Sequence, residues 1–164
     1  MSNIVPFLPG VTPSIIPEDE VTISRLSGVL ESAFMEHEID DDGQIYVSDG
    51  TEFPLWIDVL KDPELLNFFT YWSVEKQRDA DWVARANELN SHIMLPQFSY
   101  CRNSILGAYW MTYSGGLNVR QFVKMLRCFS SAFVAGLSSY REDNREAPTP
   151  QLALVASSQL EPPR

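Results

Sequence analysis

Two stretches of this chain put large apolar side chains on consecutive positions, which limits its possible folds more than any other feature. Leu65–Ser73 contains Phe68, Phe69, Tyr71 and Trp72; Ile105–Ser114 contains Tyr109, Trp110, Met111 and Tyr113. Successive side chains of a strand point to opposite faces, so as strands both segments are apolar on both sides. Helices cover one face of a small antiparallel sheet. The other needs cover from the chain's own ends, a second subunit or a client, because exposed apolar surface above roughly a few hundred Å² marks an interface. Pro63 would also suit a first helical turn, but the density of rings favours a strand over a helix at 63–72.

The rest of the chain supplies the helices. After Glu18-Asp19-Glu20, the spacing of Ile23, Leu26, Val29 or Leu30, and Phe34 predicts a helix over 22–36. Gln44–Val47 follows an Asp42-Gly43 turn, and Phe53–Leu60 alternates, with Trp56, Asp58 and Leu60 on its second face. Asp79 or Asp81 opens a helix over about 80–93, with Trp82, Ala86, Leu89 and Ile93 as its buried stripe. Gln97–Arg102 and Ile105–Ser114 form a hairpin about Asn103-Ser104, and Gly115-Gly116 break the strand. Asn118 caps a third helix, with Gln121 three residues on and Phe122, Phe129 and Phe133 on its apolar face. The helix should end near 136–140. The fold class is α+β, a small antiparallel sheet with helices in the order α-β-β-β-α-β-β-α. Pro6, Pro9, Pro13 and Pro17 mark 1–20 as an extended arm, 21–140 is the domain, and prolines at 148, 150, 162 and 163 mark 141–164 as a flexible tail.

Charge narrows the class of behaviour. The net charge is −10, which opposes nucleic acid and anionic membranes. Residues 18–64 hold fourteen acids against Arg25 and Lys61, whereas 89–141 hold no acid and carry Arg102, Arg120, Lys124, Arg127 and Arg141. Arg120, Lys124 and Arg127 line one helix face, which reads as a plain solvated face before it reads as a phosphate site. No run of 18 apolar residues exists and the N-terminus has no basic signal region, so a cytoplasmic protein is expected. Cys101 and Cys128 form no Cys-x-x-Cys pair and lie in apolar segments, as buried reduced thiols do.

The sharpest local pattern is Glu38–Asp49. With Gly43 as the sixth loop position, Glu38, Asp40 and Asp42 fall at one, three and five, Ile45 at eight and Asp49 at twelve, as in a calcium-binding EF-hand. Glu is long for the first position, Asp is short for the twelfth, and Gly50 and Pro54 leave no room for the exiting helix. A solvated acidic β-turn is the competing reading. His37 and His92 are the only histidines and have no cysteine pair to complete a zinc set. Gly-x-Ser-x-Gly and the glycine-rich nucleotide loops are absent. No catalytic residue, cofactor or metal ligand is assigned. The residues read as a partner or dimer interface are Trp56, Phe69, Tyr71, Tyr109, Trp110 and Tyr113.

Leu26–Phe34 with the turn at 41–43, Phe53–Leu60 with Asp62-Pro63-Glu64-Leu65, Ala86-Asn87-Glu88-Leu89-Asn90, the strand entry at Pro96 and the helix start Asn118–Phe122 share one order. In that order and spacing the chain resembles the YbjN family over about 20–140, a family whose fold is similar to that of type III secretion chaperones. The resemblance implies a bacterial, non-enzymatic, homodimeric interaction protein, sometimes labelled a sensory transduction regulator and linked to stress response. The 38–49 pattern separately leaves a calcium-responsive binder as an alternative, and the resemblance leaves a dedicated type III secretion effector chaperone. It supplies no site to carry over residue by residue.

Overall fold

A computed structural model of the chain describes residues 15–74 and 79–143. The first helix, α1 (Ile23–Ser32), starts at Thr22, whose Oγ1 accepts the Arg25 amide at 3.2 Å. It stops four residues before the expected end. Phe34 takes φ 57°, a left-handed conformation usually left to glycine, and the Met35 amide donates to the Leu30 carbonyl at 3.0 Å while that of Phe34 donates to Glu31. These two bonds close a Schellman turn, with Met35 packed back over Leu30 in the core.

The turn launches a strand absent from the sequence reading, β2 (His37–Ile39), which pairs with β3 (Ile45–Val47). β4 (Leu55–Lys61) and β5 (Glu64–Ser73) follow as a long hairpin, then α2 (Asp79–His92), β6 (Gln97–Cys101) and β7 (Ser104–Thr112). Arg102 and Asn103 turn the last hairpin, both at positive φ, one residue earlier than expected. The expected order α-β-β-β-α-β-β-α therefore gains a fourth strand before α2. The six strands form one antiparallel sheet in the order β2-β3-β4-β5-β7-β6.

Two further strands tie in the chain before α1. β1 (Ile15–Ile16) pairs with β8 (Leu117–Asn118), and Ile16 is buried. The Glu18 carboxylate accepts the Gly115 amide, and Lys61 Nζ donates to the Val21 carbonyl at 2.8 Å. Residues 15–20 thus pack on the domain, while 1–14 of the expected arm and 144–164 of the expected tail lie outside the described residues. The long helix α3 (Val119–Asp143) begins as expected, with Asn118 Oδ1 accepting the Gln121 amide at 2.9 Å, and runs beyond the expected end.

All three helices lie against one face of the sheet. α1 and the first half of α3 pack Leu26, Leu30, Phe122 and Phe129 on Ile45, Ile57, Leu66 and Phe68. α2 and the second half of α3 pack Leu89, Phe133 and Leu137 on Trp72, Phe98 and Ile105. Ser130, buried within α3, bonds both the amide and the carbonyl of Phe53 and fixes the entry to β4.

Candidate functional site

Register decides which rings face the helices. Ile57 pairs with Phe68 and Phe68 with Tyr109, placing Tyr109 on the helix side. One residue along, Tyr46 pairs with Trp56, Trp56 with Phe69 and Phe69 with Ala108. By the same alternation, Leu60, Leu65, Tyr71, Leu106 and Trp110 stand on the outer face. None of these outer side chains joins either core cluster. Among the described residues, the outer face has no helix over it.

The outer rings pack on one another. Tyr46 and Trp56 lie 4.7 Å apart, Trp56 stacks on Phe69 at 5.9 Å with planes 16° apart, and Tyr71 meets both edge-on at 6.1 and 5.8 Å. Lateral packing leaves Phe69 only 8% exposed. Trp110, one register row along from this cluster, is 46% exposed. Between Trp110 and Asp58 stands Asn67, whose Oδ1 is buried without a hydrogen-bond partner.

The charges on this face are acidic. Glu38 pairs with Tyr46 and Asp58 with Asn67. Burial, and after it the Glu38 carboxylate, push the Tyr46 hydroxyl above its ordinary pKa. Burial also raises Tyr71, helped by Cys101 and opposed by Arg102 of the turn between β6 and β7. Neither Asp58 nor Glu38 forms an ion pair within the described residues.

Of the six expected interface residues, the structure brings Trp56, Phe69, Tyr71 and Trp110 to one face and sends two elsewhere. Tyr109 packs on Phe68 beneath the helices. Tyr113 is 1% exposed and its Oη donates to the Leu60 carbonyl at 2.6 Å, so it belongs to the core. The sequence reading missed Tyr46, Leu106 and Asn67. The basic positions Arg120, Lys124 and Arg127 are exposed on α3, away from this face. Cys101 and Cys128 are exposed, correcting the expectation of buried thiols: each lies on the solvent side of its element.

The 38–49 segment is a β-hairpin and not a helix–loop–helix. Asp40 Oδ1 accepts the amides of Asp42 and Gln44 at 3.1 and 2.9 Å, so the carboxylate meant for a cation closes its own turn. No three His, Cys, Asp or Glu side chains gather as a metal site among the described residues. His37 does acquire a partner that spacing hid. Its Nδ1 lies 2.8 Å from the Met35 carbonyl and its Nε2 2.7 Å from Ser27 Oγ. The carbonyl can only accept, so the neutral ring carries its proton on Nδ1 and accepts from Ser27. Ser27 sits mid-helix, where neighbouring amides are committed to the helix, and the pair acts as a staple between α1 and β2.

Comparison with known proteins bears on the fold. No curated protein matches the sequence. The crystal structure titled "YbjN, a putative transcription regulator from E. coli" superposes with a TM-score of 0.62 at 14% identity, covering 74% of this chain and 92% of that one, a likeness of fold. No helix among the described residues is long and apolar enough to cross a membrane. The YbjN family model, described as "Putative bacterial sensory transduction regulator", matches residues 22–136. With most of its length accounted for by that one model, the chain belongs to the YbjN family.

Proposed function

We propose that this chain is a non-enzymatic regulatory domain of the bacterial cytoplasm, working by contact with another protein through the outer face of its sheet. One observation carries the proposal: Tyr46, Trp56, Phe69, Tyr71 and Trp110 share a face on which none of the described helices packs. Six strands of three to ten residues give that face a footprint of roughly 600 Å² at about 3.3 Å per residue and 4.8 Å between strands. A standard interface covers about 800 Å² per partner, so the face accounts for most of one. Family membership supports a regulatory role.

Trp110→Asp tests the proposal. Trp110 contributes to neither core cluster, so the variant should keep its circular dichroism spectrum and lose its partner in affinity capture, read with light-scattering mass on the same sample. Loss of helical signal would show Trp110 to be core and refute the assignment. A homodimer and an effector chaperone are the two narrower forms of this function. Halving of mass in the variant identifies the first, and co-purification of a secretion substrate identifies the second.

A further inference from the structure

We infer that the occupant of the outer face is a cationic segment of a partner protein, an extended stretch carrying arginine or lysine beside apolar side chains. This rests on the reading of the face as an interaction surface and adds the chemistry of the partner. Three observations converge. The face offers a four-ring platform, Tyr46, Trp56, Phe69 and Tyr71, with Trp110 half-exposed nearby, and indole and phenol faces attract guanidinium and ammonium groups. Its charged side chains, Glu38 and Asp58, are both carboxylates and neither is paired with a base among the described residues. Asp58 Oδ1 already accepts the Val59 amide at 2.8 Å, leaving the other oxygen to accept.

Asn67 stands between Asp58 and Trp110 in the same register row. Its Oδ1 is buried without a donor in the free protein. A guanidinium entering beside Trp110 presents a fork of N–H donors to the remaining oxygen of the Asp58 carboxylate. A second copy fits less well. Stacking two such faces brings the Glu38 and Asp58 carboxylates of one chain toward an equally acidic surface, on molecules that each carry −10. Arg102 lies outside the strands, in the turn between β6 and β7.

The probe is a capped, fluorescently labelled ten-residue peptide of alternating arginine and leucine, compared with a counterpart carrying glutamate for arginine. Fluorescence anisotropy with the full chain should show the arginine peptide binding at least tenfold more tightly. Asp58→Asn and Trp56→Ala should each weaken it by about three- to tenfold, with melting curves confirming the fold. Glu31→Gln removes the same charge from the exposed side of α1 and should leave affinity within twofold. Equal binding of both peptides, or equal loss in Glu31→Gln and Asp58→Asn, overturns the inference by reducing it to apolar contact or bulk charge. If neither peptide binds while Trp110→Asp still halves the mass of the native particle, a second copy is the occupant. The inference then falls and the interaction face stands. If Trp110→Asp also leaves mass and capture unchanged, both fall.

Discussion

Gly107 and Phe133 provide the most demanding test of how α3 is seated. A Cβ at Gly107 would lie 2.6 and 2.8 Å from two ring carbons of Phe133 and 3.1 Å from Pro96 Cγ. The ring cannot retreat. It is fully buried, lies 5.2 Å from Phe53 and stacks on Phe98 at 5.8 Å with planes 15° apart. Phe98 in turn fills the space left by Gly136, where a Cβ would lie 2.8 Å from its ring. Strand and helix thus exchange a ring for a glycine in both directions, and the close approach of α3 depends on that exchange. Overpacking a dense core costs about 1–3 kcal/mol. Replacing glycine with alanine recovers about 0.4–1 kcal/mol by restricting the unfolded chain.

Gly107→Ala should therefore destabilise by about 1–2 kcal/mol, lowering Tm by roughly 4–8 °C for a domain of this size. Phe133→Leu alone should cost about 1–2 kcal/mol through the cavity it leaves. In the double variant the new methyl occupies part of that cavity, so Gly107→Ala made on the Phe133→Leu background should cost less than about 0.5 kcal/mol. The coupling of about 1 kcal/mol lies within the range found for touching residues. Urea denaturation of the four proteins, followed by tryptophan fluorescence and circular dichroism, measures the cycle. A neutral Gly107→Ala, or one with equal cost on both backgrounds, would refute the packing described for α3.

Phe34→Gly should stabilise the domain by about 1 kcal/mol, because Phe34 is 92% exposed and held at φ 57°, where a Cβ costs about 1–2 kcal/mol; an unchanged or lower urea midpoint contradicts the Schellman turn. Asn90→Ala should cost about 1–2 kcal/mol and increase aggregation, because the carboxamide bonds both the amide (2.7 Å) and the carbonyl (2.8 Å) of Phe98 and occupies the β6 edge as a neighbouring strand would; light scattering during a thermal ramp reads it. Burial, followed by Glu64 and Glu18, raises the Tyr113 pKa above its ordinary value of 10.0. The folded chain then keeps a proton the unfolded chain loses, so this contribution is present below about pH 10 and lost as pH climbs through the raised value. Wild type should accordingly lose more stability than Tyr113→Phe between pH 9 and 11, and parallel pH profiles would exclude the buried hydroxyl as the cause.

The parts of the fold legible in the sequence were those with strong local chemistry. Asn118 and Gln121 marked the start of α3, Gly115-Gly116 marked the end of β7, and dense rings placed β5 against a helical alternative. β2 was hidden because three residues, His37-Glu38-Ile39, are too few to show alternation, and because its acidic turn resembles a cation loop. The end of α1 was hidden by Phe34, which holds a position normally betrayed by glycine. The interface assignment erred by parity. Tyr109 and Tyr113 are an even number of residues apart and share the helix side, while Trp110 lies between them in phase with the opposite face. Alternation alone separates these sets, and register with Phe68 and Asn67 then decides which set meets the helices.

The two faces of the sheet differ in a way that bears on what each receives. The helix side combines branched aliphatics with one glycine, Gly107, at the point where an incoming ring needs depth. Its complement is a fixed surface of the same chain, and the fit is correspondingly close. The outer side holds no glycine at its strand positions. Its rings lie side by side and shield one another, so the free protein keeps Phe69 almost dry without a covering layer. Self-shielding lowers the penalty of leaving the face open, and the carboxylates of Asp58 and Glu38 give it a sign. A surface built only for burial would place neither charge there, since an unpaired buried carboxylate is costly. Aromatic shelter together with acidic charge suits a contact that is made and released, as regulation requires.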